Sequence, residues 1–373
     1  RPPRSTLFPY TTLFRSSAHK PNDIRIFHKE CVSLAKAGYE VFLVSAYESE
    51  IPSGEVTFVP AGSKSRGRIS RMLYTAKEVY RAAKALDADV YHFHDPELLR
   101  FGLKLKRQGK KVIYDAHEDV PRQIMAKYWI PKIFRKLISA NFERYENRVA
   151  KRLDAVVVST PHIRKRFIQL NPKTVDVCNY PLLDELMEPT SWNNKQDEIC
   201  YVGGISLVRG ISELMDALAV LPDVRLNLAG NFSNGELEGS IRAKEAWNRV
   251  EFYGYVGRTE LLAIFNRSKI GMVTLLPTPN HMESLPIKMF EYMSAGIPVI
   301  CSDFPLWKEI VGENSCGICV NPSQPELIAA AIQHLLDHPE NSMEMGMNGR
   351  KAILEKYNWG IEEDKLFRLY ASL

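Results

Sequence analysis

The sequence predicts an α/β protein with two doubly wound parallel sheets, on three observations. Short apolar runs alternate with longer amphipathic stretches, the alternation occurs twice, and a polar stretch separates the two halves. Short buried strands alternating with helices are the pattern of βαβ units. Five to six such units per half suit two open sheets better than one barrel of eight. A chain of 373 residues has the length for two domains of about 150 residues each.

The first half holds apolar runs at Val41–Ser45, Val90–Phe93, Val112–Tyr114, Ala155–Val158 and Val175–Cys178, with amphipathic stretches such as Ile26–Ala37 and Met72–Leu86 between them. The second half repeats the rhythm at Ile199–Val202, Val224–Ala229, Val250–Tyr253, Ile270–Leu275, Pro298–Cys301 and Ile318–Val320. Between the halves, Asn179-Tyr180-Pro181 stops a strand, and Glu188–Gln196 is polar, with Pro189, Asn193 and Asn194. Domains are therefore expected at 17–185 and 186–358. Trp359–Leu373 reads as an amphipathic helix with Leu366, Phe367, Leu369 and Tyr370 along one side, expected to cross back to the first domain.

Composition excludes several classes. Apolar residues at 45% supply sizeable cores, and 25% charged residues argue against disorder. No apolar run approaches the roughly 18 residues of a membrane span. Six scattered cysteines make no disulfide framework and fit a reducing cytosol. The formal charge of +5 is too weak to imply nucleic acid.

Residues 1–16 stand apart. RPPRSTLFPYTTLFRS repeats Thr-Leu-Phe at Thr6–Phe8 and Thr12–Phe14, and then the character of the chain changes. The segment resembles, at every position, the in-frame translation of a sequencing-library adapter, and it is set aside as non-native. Without it 357 residues remain, and loss of Arg1, Arg4 and Arg15 lowers the charge from +5 to +2.

The most informative stretch is Glu283–Cys301, ESLPIKMFEYMSAGIPVIC. Pro286 suits the first turn of a helix, Ser284 is placed as its cap, and Gly296-Ile297-Pro298 ends it before a strand. A helix start offers free N–H groups and a positive dipole end, which favour a phosphate. Lys288 in the first turn works against that dipole unless an anion sits nearby, so it hints at diphosphate. Glu291, one turn further in, can accept hydrogen bonds from a vicinal diol.

The fuller pattern Glu-x-x-Pro-x-Lys-x-x-Glu-Tyr-Met-x-Ala-Gly-x-Pro-Val-Ile resembles the donor-site signature of retaining glycosyltransferase family 4. The resemblance extends over Asp23-Ile24-Arg25-Ile26 with Lys29-Glu30, His92–Leu99, Tyr114–Asp119, Tyr201–Gly204 with Arg209-Gly210, Leu228–Gly230 and Phe252–Val256. It implies the GT-B fold, two Rossmann-like domains facing each other across a cleft. It also implies that members have a first strand just before this match begins, so residues 17–373 are expected to lack that strand, with Thr11–Phe14 drawn into its place.

By the same resemblance, Glu291 holds the ribose of a nucleotide-sugar and Glu283 contacts hydroxyls of the donor sugar. Arg209 stands where the family usually has a diphosphate-binding lysine, with Lys288 as a second cation. Gly203, Gly204, Ser284 and Leu285 complete the donor site. Gly204 departs from the family, many members having a second arginine there. His117 matches the histidine that points at the reacting centre, orienting donor or acceptor rather than acting as general base. The expected activity is metal-independent, retaining transfer of a hexose-type sugar from a UDP- or GDP-linked donor. The acceptor is a saccharide or lipid-linked molecule, in bacterial cell-surface polysaccharide synthesis at the cytoplasmic side of the membrane. No cofactor is implied. Two rivals stay open: a nucleotide-sugar epimerase of the same fold, and a non-catalytic homologue that binds nucleotide-sugar.

Other motifs have plainer readings. Cys316-Gly-Ile-Cys319 has zinc spacing but no second pair, so buried small side chains at a strand edge are expected. His92, His94, Asp95, His117 and Glu118 could imitate a metal cluster, yet cleft lining or core packing explains them. Asp87-Ala-Asp89 is placed at a helix end. Gly203-Gly204 with Gly210 is neither a P-loop nor the dinucleotide fingerprint.

The stretch 122–152 carries nine Lys or Arg against Glu143 and Glu146, a local net of +7. Tyr128, Trp129, Ile130, Ile133, Phe134, Leu137 and Ile138 interleave with them. Two readings fit: a helix with one packed and one solvated face, or a peripheral contact with an anionic membrane surface.

Overall fold

The structure is a computed structural model describing residues 11–16, 22–47, 54–62, 74–127, 130–186 and 189–373. The chain divides into two compact units, Arg1–Asn179 with Trp359–Leu373, and Tyr180–Asn358.

The strands of the first unit are β1 (Thr11–Ser16), β2 (Glu40–Ser45), β3 (Val56–Pro60), β4 (Val90–Phe93), β5 (Lys111–Ala116), β6 (Ala155–Val158) and β7 (Thr174–Asp176). They pair in parallel in the order β3-β2-β1-β4-β5-β6-β7. β4 and β6 are buried along their whole length, as the continuous apolar runs Val90–Phe93 and Ala155–Val158 require of a sheet covered on both faces. β3 had no apolar run to announce it. It is an edge strand with Thr57 exposed, and only an edge tolerates Pro60.

The central place in this sheet is taken by β1, from the segment expected to be foreign. It pairs with β2 through Thr11↔Glu40 to Ser16↔Ser45, and with β4 through Thr12↔Val90 to Arg15↔Phe93. Thr12 brings a fully buried hydroxyl with no hydrogen-bond partner among the described residues into the sheet's middle, an unfavourable group to bury. Residues 1–10 lie outside the described residues.

The C-terminal helix Trp359–Ala371 belongs to the first unit. Trp359 Nε1 donates to Ser33 Oγ at 2.8 Å, Glu362 accepts the Cys178 N–H at 2.8 Å, and the Tyr370 hydroxyl meets His92 Nδ1 at 2.9 Å.

In the second unit the strands are β8 (Glu198–Val202), β9 (Arg225–Ala229), β10 (Val250–Gly254), β11 (Ile270–Val273), β12 (Val299–Ser302) and β13 (Gly317–Val320). Their parallel order is β10-β9-β8-β11-β12-β13. Each expected run of this half is a strand to within two residues at either end. In both sheets the order reverses between the first and fourth strands, β1 with β4 and β8 with β11. Outside the carboxyl ends of such a pair, doubly wound folds bind their ligands.

Candidate functional site

At the reversal point of the second sheet, β8 runs out into Gly203-Gly204 and β11 into Thr274-Leu275. Gly203 has φ +110, and a Cβ on Gly230 (φ +138) would lie 1.9 Å from the Gly203 carbonyl oxygen, so glycine is required at both. The chain turns through Leu207–Arg209 into Gly210 (φ +74), whose Cβ would lie 1.8 Å from the Thr274 carbonyl oxygen. The Leu276 N–H donates to the Val208 carbonyl at 3.0 Å and straps this turn to the end of β11. Arg209 is exposed there; its Nη1 donates to the Gly204 carbonyl at 3.3 Å, and the Tyr201 hydroxyl donates to the same oxygen at 2.9 Å. A Cβ at Gly204 would come within 2.9 Å of Arg209 Nη1, so the bare glycine gives the guanidinium its resting place.

The helix Ile287–Ser294 is brought to the same point by Tyr292. Its ring covers Gly271 on β11, where a Cβ would be 2.3 Å away, and its hydroxyl accepts the Val202 N–H at 3.0 Å. Ser284 is not the cap. Pro286 directly precedes the helix in extended geometry (φ −71, ψ 120), and no side chain caps it. The pyrrolidine ring sets the entry angle that a serine would otherwise fix by hydrogen bonding. Ser284 instead donates its hydroxyl to the His281 carbonyl at 2.9 Å, and its own carbonyl accepts the Trp307 N–H at 2.7 Å.

Lys288 projects from the first turn onto the Tyr201 ring, with Nζ 3.4 Å from the ring centroid. The Nζ is buried and has no hydrogen-bond partner among the described residues. Burial, and then the Arg209 charge, hold its amine well below the usual lysine range. Glu291 is half-buried and fixed by Arg258, whose Nη1 donates to its carboxylate at 2.8 Å. Glu283 is exposed at the end of the short helix Pro279–Met282, and Leu285 is half-buried.

Two residues that the sequence did not single out join them. Arg258 is 33 positions before the glutamate it orients, with no motif to mark it. His281 lies two before Glu283; its Nδ1 is 3.0 Å from the Leu276 carbonyl. Burial lowers its pKa, the Leu276 hydrogen bond opposes this, and the charges of Arg209 and Lys288 lower it further.

In the first unit, His117 sits just past β5 over a buried polar cluster. Its Nε2 is 2.9 Å from His94 Nδ1 and 3.2 Å from Asp115 Oδ2, and its carbonyl accepts the Ser159 hydroxyl. Arg25 donates to both Asp115 oxygens (3.1 and 3.3 Å) and to the Val177 carbonyl, and its Nε is 3.1 Å from Glu30. Burial alone would raise the Asp115 pKa, but Arg25 and the histidine contacts outweigh it and hold the carboxyl well below its usual range. Burial, reinforced by the charge of Asp115, pushes Glu30 well up.

Glu30, His92, His94 and Asp115 offer ligand atoms within 4.8 Å of one another. Glu30 and Asp115 stand where sequence reasoning placed Asp95 and Glu118. The Arg25 guanidinium, salt-bridged to both carboxylates, already supplies the positive charge a metal would bring.

Comparison with known proteins gives the family and the fold. Residues 26–178 match the family Glycosyltransferase Family 4, and residues 184–352 match Glycosyl transferases group 1. The chain belongs to the glycosyltransferases. It is 24% identical over 299 residues to an MMP α-(1→4)-mannosyltransferase of Mycolicibacterium hassiacum, covering 75% of this chain and 70% of that protein. Among solved structures, sucrose-phosphate synthase from Thermosynechococcus elongatus superposes with a TM-score of 0.76 at 18% identity, covering 97% of this chain and 98% of that one. An Anabaena protein in complex with UDP-glucose gives 0.72 at 16% identity, over 98% and 100%. At these identities the likeness is one of fold, and the fold is GT-B.

The remaining motifs of this glycosyltransferase resolve simply. Cys319 lies beside Cys301 on the neighbouring strand, with sulfurs 3.5 Å apart. Asp87 (φ +48) follows the helix Ala76–Ala85, and Asp89 accepts the Thr11 N–H at 3.0 Å. The basic stretch covers the end of the helix Val120–Ala126 and then the helix Lys132–Ala150, whose last turns are buried through Val149 and Ala150. Its first turns leave Ile133 (78%), Phe134 (50%), Leu137 (59%) and Ile138 (42%) exposed. Tyr128 and Trp129 lie outside the described residues. Among the described residues no helix is long and apolar enough to cross a membrane.

Proposed function

We propose that this glycosyltransferase moves a hexose-type sugar from a nucleoside diphosphate to a saccharide or lipid-linked acceptor, with retention of anomeric configuration and without a metal ion. The observation that carries the reading is the buried, unpartnered Lys288 beside Arg209 at the reversal point of the second sheet. A buried cation with no partner is costly unless an anion arrives, and a diphosphate at this helix start supplies one. The Anabaena protein of like fold, solved with UDP-glucose, supports a uridine donor.

The reaction breaks a glycosyl–phosphate bond through an oxocarbenium-like transition state. Negative charge gathers on the leaving diphosphate, where Arg209 can grip two oxygens and Lys288 adds a point charge. Because this charge grows along the reaction, the two cations stabilise the transition state more than the ground state. Glu291, fixed by Arg258, accepts the ribose hydroxyls, and Glu283 those of the sugar. The leaving phosphate oxygen takes the acceptor's proton, and His117 orients donor or acceptor.

The acceptor is assigned to the cytoplasmic membrane face, in surface-polysaccharide synthesis. Ile133, Phe134, Leu137 and Ile138 form one apolar stripe on the helix Lys132–Ala150, flanked by Lys132 and Lys136, and this suits an anionic lipid surface. Arg135 donates to the Ile130 and Met125 carbonyls and serves the local fold.

The deciding experiment is a panel of UDP- and GDP-sugars scored for nucleotide release, with and without lipid extract. Release that rises with lipid and disappears in Glu291→Ala is expected. Epimerised sugar without acceptor would favour the epimerase rival, and binding without turnover the non-catalytic one.

A further inference from the structure

We propose that the diphosphate site is charged by its own ligand: a nucleoside diphosphate settling beside Arg209 draws one proton onto Lys288 and another onto His281. Donor binding is then coupled to proton uptake from solvent. The inference rests on the second unit holding the diphosphate and adds how that site changes its charge.

Geometry carries it. An ammonium has three hydrogens to place on acceptors, and Lys288 Nζ has no acceptor among the described residues, only the face of Tyr201 3.4 Å away. That face attracts an ammonium, but by less than the cost of burying one without acceptors, so the group is better accommodated as a neutral amine until acceptors arrive. His281 is fixed from the other side. A carbonyl oxygen can only accept, so the contact with Leu276 puts a hydrogen on Nδ1. In the neutral ring Nε2 is then a bare lone pair, which repels a phosphate oxygen and must gain a proton before it can donate to one. The same Leu276 is strapped to Val208, next to Arg209, so the imidazole and the guanidinium are tied to two backbone segments joined by a hydrogen bond.

The charged and titratable surroundings agree in sign. Arg209 from the turn after β8 depresses both groups, and Lys288 depresses His281. Cys200 on β8 acts on Lys288 in the opposite direction, but its thiol is pushed up to about 12 and so carries no charge near neutrality. Tyr201 is likewise pushed up to about 12, and Tyr292 well above its usual value. Glu291, one turn along the helix, is held by Arg258. The arriving diphosphate reverses the local potential, and each nitrogen lone pair forms one N–H bond with a proton given up by buffer. No other bond changes.

The test is calorimetric titration of the intact protein with UDP and with GDP at about pH 8, in three buffers of different ionisation heat. A nucleotide's terminal phosphate loses its last proton near pH 6, so uptake at about pH 8 belongs to the protein. The expected heat rises linearly with buffer ionisation heat, with a slope of about one to two protons, and affinity weakens up to tenfold per linked proton for each unit of rising pH. Lys288→Arg, whose guanidinium stays charged, should still bind but with fewer protons and a flatter pH profile; His281→Gln should remove the other share. Nucleotide binding with the same heat in every buffer overturns the proposal and leaves the donor site standing. Binding of neither nucleotide overturns the donor-site reading and this inference with it.

Discussion

The two sheets share one strand order, yet the charges gathered beyond their central strands are balanced in opposite ways. In the first unit, Arg25 is enclosed by Asp115, Glu30 and the Val177 carbonyl, so its charge is answered from within. In the second, Lys288 and Arg209 lie together and no carboxylate among the described residues answers the lysine, while the nearby Glu291 is bound by Arg258. A common topology thus places a polar cluster at the same point twice, but only the first is closed, in the sense that carboxyl groups answer its cation. On the proposed function, the closed cluster serves stability and the open one receives the donor's diphosphate.

The largest test of the contrast is Arg25→Met. It strands the buried Asp115 carboxylate beside Glu30, whose carboxyl is pushed toward its neutral form, and should cost about 3–5 kcal/mol. Thermal unfolding should fall by on the order of 10 °C in a unit of this size. A loss of a degree or two would mean that Asp115 and Glu30 are relieved in some other way.

Lys288→Met should act in the opposite direction. Removing an unpaired buried amine should leave the ligand-free protein equally stable or more stable by about 1 kcal/mol, while UDP affinity falls about tenfold or more. The sign of the pH effect follows from the depressed lysine. Below the unfolded value of about 10.4 the unfolded chain holds a proton that the folded chain lacks, so wild-type stability rises with pH toward that value. The methionine variant should lack this slope between about pH 8 and pH 10, which unfolding scans at several pH values would reveal. Equal slopes would close the open cluster.

Arg258→Ala is the mildest. The pair it breaks is partly exposed, so stability should change by no more than about 0.5 kcal/mol. Nucleotide affinity should still drop several-fold as Glu291 loses its orientation, measurable in the same titration. Unchanged affinity would mean that Glu291 needs no support.

What was readable in the sequence follows burial and distance along the chain. Runs such as Val90–Phe93 and Ala155–Val158 declare themselves because a strand covered on both faces has no polar position to hide it. The edge strand Val56–Pro60 had no such constraint. Lys288 stood out in the sequence because its misfit with the helix dipole is local, and the structure leaves its buried amine without a hydrogen-bond partner among the described residues. The pairing of Arg25 with Asp115 spans 90 positions, and that of Arg258 with Glu291 spans 33; only the folded sheet brings such residues together. Ser284 misled for a local reason as well, since a proline two residues on had already set the helix entry.

The C-terminal helix carries a consequence for synthesis on the ribosome. The hydroxyl that meets His92, the indole on Ser33 and the carboxylate that takes the Cys178 N–H all come from Trp359–Ala371. Chains emerge from the N-terminus, and domains ordinarily fold in that order as they are made. Here the first unit must wait through the synthesis of the whole second unit before its last buried groups find partners. The second unit, contiguous from Tyr180 to Asn358, is complete earlier and can close first.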